Sequence, residues 1–207
     1  MHWVGNDVVD LDDESIAGHH QNRRFIARVL AEPERARLES CSEMGAKKTF
    51  LWSLYAAKEA AYKAVEKLRG PTIFAHRSFV VAPDARSVRH LELALSLEVT
   101  EGVGFVHAVA FTGDVPPRTA IERIPEEADP SGEARRLLCK AIAESLGCSF
   151  EDLTVVRDEA PGSWTGRGPP RVLLRGAPIE LDVSLSHDGR FVAAAAAGVP
   201  IHARTSA

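Results

Sequence analysis

An α+β fold is predicted, in two similar lobes that each pack a helix on a small antiparallel sheet. Three observations carry that expectation. Phe50 to Leu68 has the periodicity of one long helix, with Phe50, Leu54, Ala57, Ala61, Val65 and Leu68 along one stripe. Alternating apolar runs follow it, and a second helix with its own alternating runs comes later in the chain. Between these sets, Gly113 to Glu133 is rich in Gly, Pro and acids and has little apolar periodicity, so it is expected to be a linker. The expected division is therefore 1–112, a linker at 113–133, and 134–207.

Taken in order, Val4 to Leu11 reads as a short buried strand with Asp7 among apolar residues. A carboxylate there is desolvated unless a cation compensates, and a metal ion would serve. The alternative is a turn or helix cap, for which Asp10, Asp12 and Asp13 are better suited. Helical segments follow at Gln21 to Leu30 and Pro33 to Ser40, the second with Pro33 at its first position. Arg23, Arg24 and Arg28 cluster on the first, forming either a solvated basic face or a docking patch for an acidic partner.

On the long helix a second stripe carries Trp52, Tyr55, Glu59, Tyr62, Lys63 and Glu66. Apolar groups on two sides imply cover on both, which puts Glu59 and Lys63 on a partly buried face. An i, i+4 ion pair worth about 0.3–0.5 kcal/mol would account for that pair without any function. Gly70-Pro71 stops the helix, and strands are expected at Ser78 to Ala82, His90 to Val99 and Phe105 to Thr112, with a hairpin turn at Glu101 to Gly104. Beyond the linker, Leu137 to Leu146 reads as a helix ended by Gly147, and Leu153 to Arg157 as a strand. A loop from Asp158 to Pro170 carries Gly162, Trp164 and Arg167; strands follow at Arg171 to Arg175 and Ile179 to Ser186, and an Asp188-Gly189 hairpin returns through Phe191 and the alanines 193–197. Alternation breaks at His187, which is either a satisfied turn residue or a functional one. Neighbouring strand residues face opposite ways, so Ser186 and His187 do not make a hydrolase pair.

Composition narrows the classes. The 207 residues are 45% hydrophobic and 26% charged, an ordinary globular balance with no apolar run of membrane-spanning length. The N-terminus has neither a basic nor an apolar signal region, and a cytoplasmic protein is expected. A net charge of −4 argues against binding nucleic acid through a basic surface. Cys41, Cys139 and Cys148 are irregularly spaced and odd in number, which fits reduced structural thiols.

Gly5-Asn6-Asp7, Trp52 with Lys58-Glu59-Ala60-Ala61-Tyr62-Lys63, and Ser184-Leu185-Ser186-His187 together resemble the motifs of the 4'-phosphopantetheinyl transferase superfamily. The motif order is that of the small trimeric carrier-protein synthases, whereas the second half resembles the first lobe of the two-lobed members. The chain is thus expected to be a circularly permuted, two-lobed pseudo-dimer, acting as a monomer. The resemblance implies Mg2+-dependent transfer of phosphopantetheine from coenzyme A to a serine of an apo acyl or peptidyl carrier protein. It implies Asp7 and Glu59 as metal ligands, Glu59 as acceptor of the serine proton, and Lys63 as the neutralising cation. Ser186, His187, Arg167, Lys63 and Lys58 are carried over as coenzyme A-binding, with Arg135 or Arg136 assisting. Arg23, Arg24 and Arg28 become the expected docking patch for an acidic carrier. Val9 stands where many two-lobed members have a third acid, and Arg167 where relatives have a lysine. A Mg2+-dependent phosphoesterase and a non-catalytic coenzyme A or carrier-binding module are the competing readings.

Overall fold

The computed structural model describes residues 2–160 and 166–199; Gly162, Trp164 and the residues from Pro200 onward lie outside that range. Helices and antiparallel sheets mix as expected. Strand β1 (Val4–Asp10) leads through two short 3-10 turns into α1 (Arg23–Val29), α2 (Glu32–Ser40) and the long α3 (Met44–Arg69). Strands β2 (Phe79–Val81), β3 (Ser87–His90), β4 (Leu93–Gly102) and β5 (Phe105–Phe111) follow, and the first sheet has the order β1-β5-β4-β3-β2. The second half contains β6 (Arg118–Arg123), α4 (Pro130–Leu146), β7 (Leu153–Glu159), β8 (Arg167–Leu174), β9 (Ala177–Pro178), β10 (Asp182–Asp188) and β11 (Phe191–Ala197). These strands form two three-stranded sheets, β10-β11-β6 and β7-β8-β9.

Three expectations need correction. The segment 113–133 is not a bare connection, because β6 lies within it and pairs antiparallel with β11 from Arg123↔Phe191 to Arg118↔Ala196. It occupies the sheet edge with only partial burial, so its sequence carries no strong apolar alternation. The run His90 to Val99 is broken into β3 and β4 at Leu91, which takes a positive φ of 53° and stands exposed. Pro33 is the second residue of α2, after Glu32, with Ala31 as its N-cap.

The packing of α3 on β1 sets the geometry of the first half. Ala57, Ala60, Ala61 and Ala64 are fully buried, and they let the helix backbone approach the strand. At the crossing point a Cβ on Gly5 would lie 2.0 Å from the Ala60 carbonyl oxygen, so only glycine fits there. The main apolar cluster of this half joins α3 to the inner face of the five-stranded sheet, while a second cluster packs α4 on β10 and β11.

Between the halves, β1 and β10 run side by side in the same direction without a backbone ladder. Side chains of β10 take its place: the N–H groups of Val4, Asn6, Val8 and Asp10 donate to Asp182 Oδ2 (2.6 Å), Ser184 Oγ (3.0 Å), Ser186 Oγ (3.1 Å) and Asp188 Oδ2 (2.8 Å). Every second residue of β10 is thus a tooth of a comb that satisfies the free edge of β1. Lys67 clamps one end, donating to the carbonyls of Val4 (2.6 Å) and Val183 (2.7 Å) and to Asp182 (3.0 Å). At the other end Arg190 grips Asp10 through both carboxylate oxygens, at 2.7 and 2.6 Å. The alanine strand β11 is buried along its whole length, its residues alternating between small clusters with β1 and β5 and the core of the second half.

Candidate active site

Asp7 projects from the middle of β1 beside α3, whose Glu59 and Lys63 are one turn apart. Lys63 Nζ donates to Asp7 Oδ1 at 2.8 Å and to the Asn6 carbonyl at 2.9 Å. The same Oδ1 accepts the Ser186 hydroxyl at 3.0 Å. Ser186 therefore bridges the halves twice over, accepting from the Val8 N–H while donating to Asp7. Glu59 stands one turn from Tyr55 on α3, and its Oε1 lies 3.5 Å from His76 Nε2.

An open cleft of about 410 Å³ runs along these residues. Asp7, Ser15, His19, Glu59, His187 and Asp188 supply its polar lining, and Ile16, Trp52 and Tyr55 a largely apolar wall. Burial lifts the Asp7 carboxyl above the usual carboxylate range; the Lys63 ammonium opposes this and the Glu59 charge adds to it. Burial likewise pushes Asp188 up to about 6, and pushes the His187 imidazole down. Burial also holds the Tyr55 hydroxyl in its protonated form, with the charge of Glu59 acting the same way.

The donor set fits a hard divalent cation. Two carboxylates, Asp7 and Glu59, line one cleft, and burial and mutual repulsion both act against the charge of Asp7. A cation such as Mg2+ would relieve both effects. Two carboxylates would leave the remaining positions of such an ion to water and phosphate oxygens; among the described residues no group of three or more His, Cys, Asp or Glu side chains could hold a metal.

The structure thus brings Asp7, Glu59, Lys63, Ser186 and His187 together, but it takes Lys58 elsewhere. Lys58 is fully buried, with Nζ bonded to Glu34 (2.7 Å) and to the carbonyls of His76 (3.1 Å) and Phe79. Glu34 completes the network by accepting the N–H groups of Ala31 and Val81. With its ammonium spent on three internal acceptors, Lys58 has no donor left for coenzyme A. Arg136 is also engaged, by Glu122 and Glu133. Arg167 opens β8 and is exposed, and Arg23, Arg24 and Arg28 are exposed on α1. Asp188 and His76 carry no site signal in the sequence: Asp188 reads there only as a turn residue, and His76 belongs to no motif.

The family model of the 4'-phosphopantetheinyl transferase superfamily matches residues 4–107, just over half of the sequence. The chain belongs to this superfamily. The matched part includes Asp7, Glu59 and Lys63, whereas Ser184 to His187 lie beyond it. Among solved structures, the chain is similar to holo-[acyl-carrier-protein] synthase (AcpS) from Neisseria meningitidis at 20% identity and a TM-score of 0.44, over 54% of this chain and 98% of that one. It is similar to Thermotoga maritima holo-[acyl-carrier-protein] synthase (AcpS) at 14% identity and a TM-score of 0.38, over 86% of each chain. No curated protein matches.

Proposed function

We propose that this protein transfers 4'-phosphopantetheine from coenzyme A to a serine hydroxyl of an apo acyl or peptidyl carrier protein. The serine oxygen forms the new bond to phosphorus, the bond to adenosine 3',5'-bisphosphate breaks, and the serine proton passes to Glu59. One observation supports this reading above the others: Asp7 Oδ1 accepts both Lys63 and Ser186, so motifs 56 and 179 residues away from Asp7 meet on one carboxylate.

In this reading Asp7 and Glu59 hold Mg2+, which when bound supplies charge neutralisation to the pyrophosphate. Lys63 is positioned to trade its contact with Asp7 for a phosphate oxygen, and His187 and Arg167 to meet the phosphates of coenzyme A. Ser186 serves chiefly to hold Asp7. The carrier protein docks along α1, where Arg23, Arg24 and Arg28 offer positive charge near the cleft wall formed by Ile16 and Trp52. Residues 1–112 and 134–207 act as the two lobes of a monomer, with the lobe order permuted. A cytoplasmic location goes with this role; among the described residues no helix is long and apolar enough to cross a membrane.

The test is incubation with apo carrier protein, coenzyme A and Mg2+, followed by the intact mass of the carrier. A phosphopantetheine-sized gain is expected, with Asp7→Ala and Glu59→Ala each lowering the rate by roughly a hundred-fold or more. Hydrolysis of coenzyme A without any gain in carrier mass would overturn the transferase in favour of a phosphoesterase.

A further inference from the structure

The side of Glu59 that faces into the protein shows an arrangement no motif describes. His76 follows α3 in the chain and is not among the residues lining the cleft. Its ring lies between Phe74, at a centroid distance of 4.1 Å, and Tyr55, at 5.0 Å. Its carbonyl is tied to the buried Lys58, itself paired with Glu34. Backbone and ring are both restrained, and Nε2 is buried with no hydrogen-bond partner at normal distance. A buried ring nitrogen left unpaired is costly. The acceptor within reach is Glu59 Oε1, 3.5 Å away.

We propose that His76 is a positioning residue, whose Nε2–H donates to Glu59 Oε1 and fixes the carboxylate for its work in the cleft. The neutral ring with its proton on Nε2 suffices. It gives Glu59 a donor from the protein while the carboxylate still lines the cleft. The arrangement also gives Lys58 a purpose beside Glu59 in the sequence: it holds the segment that carries His76. Metal-binding carboxylates depend on such outer partners by about ten- to a hundred-fold in affinity. The inference rests on the transferase reading of the cleft.

Two variants separate positioning from packing. His76→Phe keeps a ring between Phe74 and Tyr55 but removes the donor, whereas His76→Gln restores an N–H at similar reach. Mn2+ affinity, followed by electron paramagnetic resonance with Mn2+ alone, is expected to fall about ten-fold in the Phe variant and to return to within about three-fold in the Gln variant. The carrier transfer rate should follow, with kcat reduced and KM for the carrier unchanged. Wild-type affinity and kcat in His76→Phe would overturn the proposal, as would equal losses in both variants accompanied by lower melting temperatures. If the Phe variant does not fold, His76→Met provides the same comparison. Wild-type protein that neither binds Mn2+ nor modifies a carrier would overturn the transferase reading itself, a result distinct from failure of the His76 contact alone.

Discussion

Asp188 and His107 are both desolvated, and their protonation acts on stability in opposite senses. Asp188 titrates at about 6 in the fold and near its ordinary value, 3.8, in the unfolded chain. Between those values the folded state keeps a proton that the unfolded state has lost, so stability falls as pH rises. His107 is pushed down to about 4 by burial, and its Nε2 accepts from Asn6 Nδ2 at 3.2 Å. Here the unfolded state binds the proton first, and stability is lost as pH falls from 6.5 towards 4. Each shift corresponds to about 3 kcal/mol before solvent screening, less for the partly exposed Asp188, and their opposite slopes should leave a shallow profile. Asp188→Asn is expected to leave a profile that climbs between pH 4 and 6.5, and His107→Gln one that declines between pH 4 and 6, both read from denaturant midpoints across that range. At this scale the motifs pick out side chains that the fold brings together, because Asp7, Glu59, Lys63 and His187 line or adjoin one cleft. It did not show their partners. Lys58 and Ser186 belong to motifs that suggest ligand contacts, yet the hydroxyl and ammonium found acceptors inside the protein.

Among the elements, α3 is held by contacts on opposite flanks. One flank presents methyl groups to β1, and another sends Lys58 into a buried pair with Glu34 on α2. Removing one partner of such a pair leaves an uncompensated charge, and Lys58→Met should cost about 3–5 kcal/mol in a denaturant melt. Adding Glu34→Gln should recover part of that loss, since it removes the uncompensated buried charge, although the amide oxygen can accept only one of the N–H groups of Ala31 and Val81. Periodicity made this helix legible over its central turns but not over Met44 to Thr49, where small exposed residues and half-buried lysines give no apolar stripe. Most strands were legible for the same reason. Strand β6 was not, because an edge strand with mixed burial has no need of alternation, and flanking Pro and Gly concealed it. The break at Leu91 was equally hidden, since a positive φ at a leucine runs against its local preference.

At the scale of the whole molecule, the comb makes the halves interdependent. Ser184 is buried, and it is the acceptor of the Asn6 N–H. Ser184→Ala would leave that donor unpaired, and a loss of about 1–3 kcal/mol is expected. Because Asp182 and Lys67 tie the same seam from opposite halves, calorimetry should show one unfolding transition in the wild type. Two resolved transitions would mean that the halves melt independently. The alternation Asp182-x-Ser184-x-Ser186-x-Asp188 was visible in the sequence, but its partner strand lies 178 residues away and no local pattern names it.

The alanine strand at that seam bears on entropy. Side chains that close most interfaces must give up rotamers, at up to about 2 kcal/mol each for the longest. Ala193 to Ala197 have no rotamers to give up, and all five are buried. The two halves therefore come together over β11 with little more than backbone order to lose. Each methyl contributes little attraction in return, so the seam relies on closeness of fit instead of bulk, and the hydrogen-bonded teeth beside it supply the grip.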